Sequence, residues 1–247
     1  MSICIKNLIK FYKKNLRSKI PAIDNLNLEI QKGEVFGFLG PNGAGKSTVI
    51  KILLDFIRPT SGTVTIKGMP VSNPKVREVI GYLPENPLFY DHLTGLEILR
   101  FGGKATHMEK GVLEEKAVQL LDRLKLSNAK NRLIRTYSKG MVQRAGLSLA
   151  LIHDPEICIL DEPMSGLDPL GRRLVTDLIL DMRKNGKTVF FSSHILSDIE
   201  NLCDRVGILN KGKLIFCGTI KELSGGDKSL EEAFIRLIEA DEKNIVL

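Results

Sequence analysis

Apolar positions along this 247-residue chain fall into two kinds of run. Short runs that are wholly apolar or alternate with polar residues predict strands. They are Ile3-Cys4-Ile5, Ala22 to Ile30 with Ile23, Leu26, Leu28 and Ile30 apolar, Val35 to Gly40, Gly62 to Gly68, Ile157 to Leu160 and Thr188 to Ser192. Longer stretches carry the helical period. Leu113, Ala117, Leu120, Leu121 and Leu124 share one face inside a helical region from Thr94 to about Leu151, and Thr48 to Phe56 also reads as a helix. Another helix begins at Asp168-Pro169, an acidic cap before a proline suited to the first turn, and ends near Asn185-Gly186. Val206 to Gly218 predicts a hairpin about Asn210 to Lys213, followed by a C-terminal helical segment. Strands alternating with helices predict a parallel α/β core. The Gly62 to Gly68 strand is expected to join the N-terminal strands in an antiparallel sheet. One domain over 1–247 is expected, with a helical subdomain at about 86–152 and a short helical tail at about 224–247.

Composition narrows the class. With 43% hydrophobic and 26% charged residues and no low-complexity tract, the chain has the make-up of a folded domain and not of a disordered one. Its longest apolar runs are strand-sized, far short of the ~20 residues a membrane-spanning helix needs. The N-terminus lacks a signal-peptide apolar stretch, so a cytoplasmic location is expected. Cys4, Cys158, Cys203 and Cys217 are too scattered for a zinc site or a disulfide framework and read as reduced core thiols. Net charge is +7, with Lys6, Lys10, Lys13, Lys14, Arg17 and Lys19 all preceding the first acidic residue, Asp24. Such a stretch suits an anionic partner, a nucleotide polyphosphate or simply a solvated face, and by itself selects none of them.

The chemistry is concentrated in two places. Gly40-Pro41-Asn42-Gly43-Ala44-Gly45-Lys46-Ser47-Thr48 fits G-x-x-x-x-G-K-[ST] and lies between a predicted strand and a predicted helix. Glycines let successive N–H groups turn inward around a polyphosphate, and the following helix adds its positive end. Lys46 is placed to reach the β- and γ-phosphates, Ser47 to ligate Mg²⁺ and Thr48 to help hold the phosphates. The second place is the strand end Leu160-Asp161-Glu162. Adjacent carboxylates after an apolar strand arrive at the carboxyl edge of a parallel sheet, where ligands bind. Asp161 suits Mg²⁺ coordination and Glu162 suits polarising an attacking water. Alone, this pair is equally a helix cap; beside a phosphate loop it completes a nucleoside triphosphatase site.

Further segments carry a family resemblance. Tyr137-Ser138-Lys139-Gly140-Met141, Ser165-Gly166-Leu167-Asp168 and Phe191-Ser192-Ser193-His194, in that order around the carboxylate strand, resemble the signature, D-loop and switch histidine of ABC ATPases. The resemblance covers Ile3 to about Leu223. It implies a P-loop, RecA-like α/β core with an antiparallel β subdomain and an inserted helical subdomain. It also implies ATP and Mg²⁺ as cofactors, and a head-to-tail homodimer or pseudo-symmetric dimer. In that dimer, Ser138, Lys139, Gly140 and Met141 of one copy face the phosphate loop of the other, with Asp168 in the D-loop. By the same resemblance Tyr12 stacks on adenine, for which simple packing is the competing reading, and His194 contacts the γ-phosphate. Where most relatives place glutamine, Gly81-Tyr82-Leu83-Pro84-Glu85-Asn86-Pro87 places Glu85, a carboxylate that still suits metal or water but adds negative charge beside phosphates. The following Leu88 to Thr94 segment corresponds to the face that meets the membrane subunit, and its aromatics read equally well as core.

Three functions compete on this resemblance: a transporter ATPase subunit, a soluble ABC ATPase of repair, chromosome structure or translation, and a non-catalytic cassette. Soluble members interrupt the cassette with coiled coils or carry two cassettes, and this chain has one phosphate loop and one signature. A non-catalytic cassette is expected to have lost Lys46, Glu162 or His194, and all three are present. The reading is therefore an exporter-type ATPase subunit, peripheral on the cytoplasmic face through a separate membrane permease, with no nucleic-acid partner. The late Ser229 to Phe234 segment, S-L-E-E-A-F, resembles the same exporter branch.

Overall fold

A computed structural model describes residues 1–12, 20–226 and 229–245. In chain order the elements are β1 (Ile3–Lys10), β2 (Ile23–Ile30), β3 (Val35–Leu39), α1 (Lys46–Leu53), β4 (Ser61–Ile66), β5 (Met69–Pro70), β6 (Ile80–Leu83), α2 (Gly95–Ala105), α3 (Lys110–Arg123) and α4 (Lys139–Leu151). They continue with β7 (Ile157–Asp161), α5 (Pro169–Lys184), β8 (Thr188–Ser192), α6 (Leu196–Leu202), β9 (Arg205–Asn210), β10 (Lys213–Thr219), α7 (Ile220–Ser224) and α8 (Leu230–Ile245).

Two sheets form. The larger has the order β10-β9-β3-β8-β7-β6, in which all neighbours but the β9–β10 pair run parallel. The smaller, β2-β1-β4-β5, is antiparallel. Alternation along the central strands explains why they are apolar on both faces. Phe36, Phe38, Ile157, Ile159 and Phe190 pack toward α1 and the antiparallel sheet. Val35, Leu39, Cys158, Leu160, Val189 and Phe191 pack toward α2 to α6. The face expected on α3 is buried at all of its helical positions, Leu113, Ala117, Leu120 and Leu121, with Leu124 just beyond the helix end buried too.

Several expectations shift in detail. The helix expected at Thr48 to Phe56 begins at Lys46, because Gly45, in the left-handed region at φ 112°, allows the chain to turn straight into it. It ends at Leu53, because Asp55 also turns left-handed at φ 57° and Phe56 N–H closes onto the Lys51 carbonyl at 2.8 Å. Of the four thiols only Cys158 is buried as a whole residue, and Cys217 is exposed at the edge strand β10. In the Leu88 to Thr94 segment, Leu88 and Tyr90 are exposed while Phe89 and Leu93 pack on the core. Of the early basic residues, Lys13, Lys14, Arg17 and Lys19 lie outside the described residues. Lys10 donates to the Arg58 carbonyl at 2.7 Å and sits over the Tyr12 ring. Among the described residues, no helix is long and apolar enough to cross a membrane.

Candidate nucleotide site

Four adjacent parallel strands end at one edge of the large sheet, and each delivers part of the site. β3 runs into Gly40 to Thr48, β8 into Ser192 to His194, β7 into Asp161-Glu162 and β6 into Glu85. The nine loop residues, with Glu85, Asp161, Glu162 and His194, line a single cavity of about 430 Å³. Positions separated in sequence by more than a hundred residues meet because the β3, β8 and β7 ends lie side by side.

Glycine is required at two of the loop positions. Gly40 has φ 153°, and a Cβ there would lie 2.2 Å from the Leu209 carbonyl oxygen; at Gly45 it would lie 2.8 Å from the Ala22 carbonyl oxygen. Lys46 is buried, and its ammonium donates to the Gly40 carbonyl at 2.5 Å and the Pro41 carbonyl at 3.3 Å. Burial lowers its pKa, against the raising influence of Glu162, Asp161 and Glu85.

The carboxylates are held in different ways. Asp161 is buried and accepts from the Ser192 hydroxyl at 2.5 Å. Its pKa is raised, first by burial and further by Glu85, with Ser192 and Lys46 opposing. Glu162 occupies the left-handed region at φ 50°, unusual for a residue with a side chain. Its backbone is fixed on both sides: its N–H donates to Ser192 Oγ at 3.0 Å, and the buried Gln143 amide donates to the Glu162 carbonyl at 3.3 Å and the Pro163 carbonyl at 3.4 Å. The twist aims the Glu162 side chain at His194, whose Nδ1 is 2.8 Å from Oε2. This carboxylate–imidazole pair shares one cavity with the phosphate loop and suits water activation beside a bound phosphate. In the sequence Ser192 serves only to mark His194, and Gln143 lies two residues beyond the signature-like segment. Their support of Asp161 and Glu162 depends on β8 pairing with β7 and on α4 packing against the next strand, β6.

Three expected parts lie elsewhere. Tyr12 is at the rim, not in the cavity lining, and shares a 3.2 Å hydrogen bond with the Thr48 hydroxyl. Its ring is partly exposed and lies under the Lys10 ammonium. Ser138 caps α4 by accepting from Met141 N–H at 3.3 Å, and Asp168 caps α5 by accepting from Gly171 N–H at 2.8 Å. Ser138 to Met141 do not line the phosphate cavity of their own chain. Their loop adjoins the D-loop: a Cβ at Gly140 would lie 3.3 Å from the Gly166 carbonyl oxygen, and one at Gly166 would lie 2.7 Å from the Lys139 side chain.

Hard oxygen donors suited to Mg²⁺ are present, with Ser47, Asp161 and Glu85 in one cavity. Mg²⁺ is usually held by one or two carboxylates together with substrate phosphates. A cation there would offset the repulsion that Glu85 exerts on Asp161.

The family model for ABC transporters matches residues 23–165. An uncharacterized ABC transporter ATP-binding protein of Synechocystis is 45% identical over 218 residues, which cover 87% of this chain and 62% of that protein. A lantibiotic transport ATP-binding protein of Streptococcus pyogenes is 37% identical over 230 residues, covering 93% of this chain and 94% of that one. Among solved structures, a dimeric ATP-binding cassette in a post-hydrolysis state with ADP and Pi matches with a TM-score of 0.81 at 25% identity, over 88% of this chain and 98% of the other. With a family model covering more than half of its length and a phosphate loop facing paired carboxylates, the chain belongs to the ABC transporter family, among its ATP-binding proteins.

Proposed function

We propose that this protein binds and hydrolyses Mg²⁺–ATP as the motor subunit of an exporter, working as a head-to-tail pair of cassettes under a separate membrane permease. One observation carries the reading. The cavity gathers phosphate loop, Asp161, Glu162 and His194 within one chain, yet leaves out that chain's own signature residues. A second cassette supplies the missing donors, Ser138 Oγ and backbone N–H groups at the start of α4, to the far side of the γ-phosphate. The dimeric state of the post-hydrolysis relative supports the same arrangement.

In this reading the loop N–H groups and Lys46 bind the β- and γ-phosphates, and Tyr12 stacks on the base. Ser47, Asp161 and Glu85 hold Mg²⁺, which supplies charge neutralisation at the transferring phosphoryl group. Glu162 polarises the attacking water, while His194 orients that carboxylate and senses the γ-phosphate. Transporter names among the relatives favour a permease partner over the soluble alternative. The test is Glu162→Gln, which keeps the side chain's shape and removes its basicity. ATP binding should persist, turnover should fall by roughly 10²–10⁴-fold, and size-exclusion chromatography with ATP should show an accumulated dimer. Hydrolysis at the wild-type rate would end the assignment.

A further inference from the structure

The tight turn between β9 and β10 lies behind the phosphate loop and is gripped from its other side by the C-terminal helix. Lys211 and Gly212 have φ of 44° and 83°, as a two-residue hairpin turn of the mirror-image type requires. Toward the nucleotide site, Gly212 N–H donates to the Ala44 carbonyl at 2.9 Å. Leu209, one residue before the end of β9, presses its carbonyl against Gly40 and its side chain against Gly45. The turn is also tied to β2, since Asp24 N–H donates to the Gly212 carbonyl at 2.9 Å. Away from the site, the Asn210 side chain, only 2% exposed, donates to Asp241 Oδ2 on α8 at 2.8 Å. Lys211 and Glu242 add a 3.0 Å ion pair, but both are half exposed and such pairs contribute little. The amide-to-carboxylate bond, buried at its Asn210 end, is the stronger contact.

We propose that Asn210 and Asp241 are positioning residues for the nucleotide phosphates. The seating of α8 is passed through the Lys211-Gly212 turn to Ala44, in the middle of the phosphate loop. This inference rests on the ATP-binding reading above. Pro41, Asn42 and Gly43 are exposed, so the loop's N–H groups owe their directions to the contacts behind it. Glu162 and His194 are carried by β7 and β8, away from this turn. Loosening the α8 contact therefore weakens nucleotide binding and leaves the hydrolytic step largely intact.

The experiment measures equilibrium binding of ATP, then KM and kcat, in the full chain with Asp241→Ala, Asn210→Asp and the double variant Asn210→Asp/Asp241→Asn. Leaving Asn210 unpaired in Asp241→Ala, or setting two carboxylates against each other in Asn210→Asp, should raise Kd and KM for ATP roughly three- to thirty-fold at near-constant kcat. Amide hydrogen exchange over residues 40–46 should quicken. The double variant restores the bond with donor and acceptor exchanged, and should return Kd to within about twofold of wild type. Should Asn210→Asp fail to fold, Asp241→Ala at its half-buried helix position carries the test alone. Variants that lose thermal stability but keep wild-type ATP affinity and loop exchange would overturn the inference while leaving the ATP-binding reading intact. A wild-type chain that binds no ATP would remove the reading and the inference together.

Discussion

Lys46 and Asp161 are perturbed in opposite directions by the same cavity. Burial lowers the lysine's pKa and raises the aspartate's, each being pushed toward neutrality. For Asp161 the sign of the linkage is set by a folded-state pKa above the unfolded one: the native state prefers the protonated acid. Its charged form therefore costs stability above the folded value, and the cost disappears as pH falls into the ordinary carboxylate range. Asp161→Asn, which can still accept from Ser192, should raise the melting temperature of the nucleotide-free protein at neutral pH by about 2–4 °C per kcal/mol relieved. The gain should vanish on acidification, and a calorimetric pH series reads it directly. The same substitution should abolish Mg²⁺-dependent hydrolysis. Glu85 extends the theme, because it faces the cavity and adds to the pressure on Asp161. Glu85→Gln should make ATPase activity less dependent on Mg²⁺ without abolishing it, since Ser47 and Asp161 remain. Superimposable Mg²⁺ titrations of variant and wild type, without permease, would eliminate Glu85 from the metal site.

At the scale of elements, the site depends on how closely helices approach the strand that carries Glu85. Gly81 of β6 is pressed against α4, so a Cβ there would lie 2.2 Å from the Ala150 carbonyl oxygen. Neither backbone can yield cheaply, and Gly81→Ala should cost about 1–3 kcal/mol, read as a fall in thermal midpoint. An unchanged midpoint would mean that β6 and α4 separate without penalty. Most elements were legible in the sequence, since strands and helices that serve one core announce themselves by period. The Asp168-Pro169 start marks α5, and the short Thr188 to Ser192 run around Val189, Phe190 and Phe191 marks β8. α1 departs at both ends from the Thr48 to Phe56 its apolar pattern predicts, because its limits are set by the left-handed turns at Gly45 and Asp55, which that pattern does not report.

For the whole molecule, the proposed division of the site between two cassettes has a kinetic consequence. Activity per chain should rise with protein concentration through the dimerisation range, so that the rate climbs more steeply than linearly. Serial dilution with parallel light scattering tests this, and strictly linear activity from a demonstrated monomer would contradict it.

The sequence by itself determined the phosphate loop, the Asp161-Glu162 pair and the α/β class, because each is a local pattern: backbone turns that need glycine, and strand-sized apolar runs. Tertiary structure decided what those residues touch. Strand order sets β8 between β3 and β7, and this makes Ser192 the partner of both Asp161 and Glu162 and sets His194 against Glu162. Gln143 supports a left-handed glutamate that follows it by 19 residues, and Asn210 links the turn behind the phosphate loop to α8. No spacing rule announces such contacts, for they arise only when separate elements pack side by side and buried polar groups must find partners within the protein.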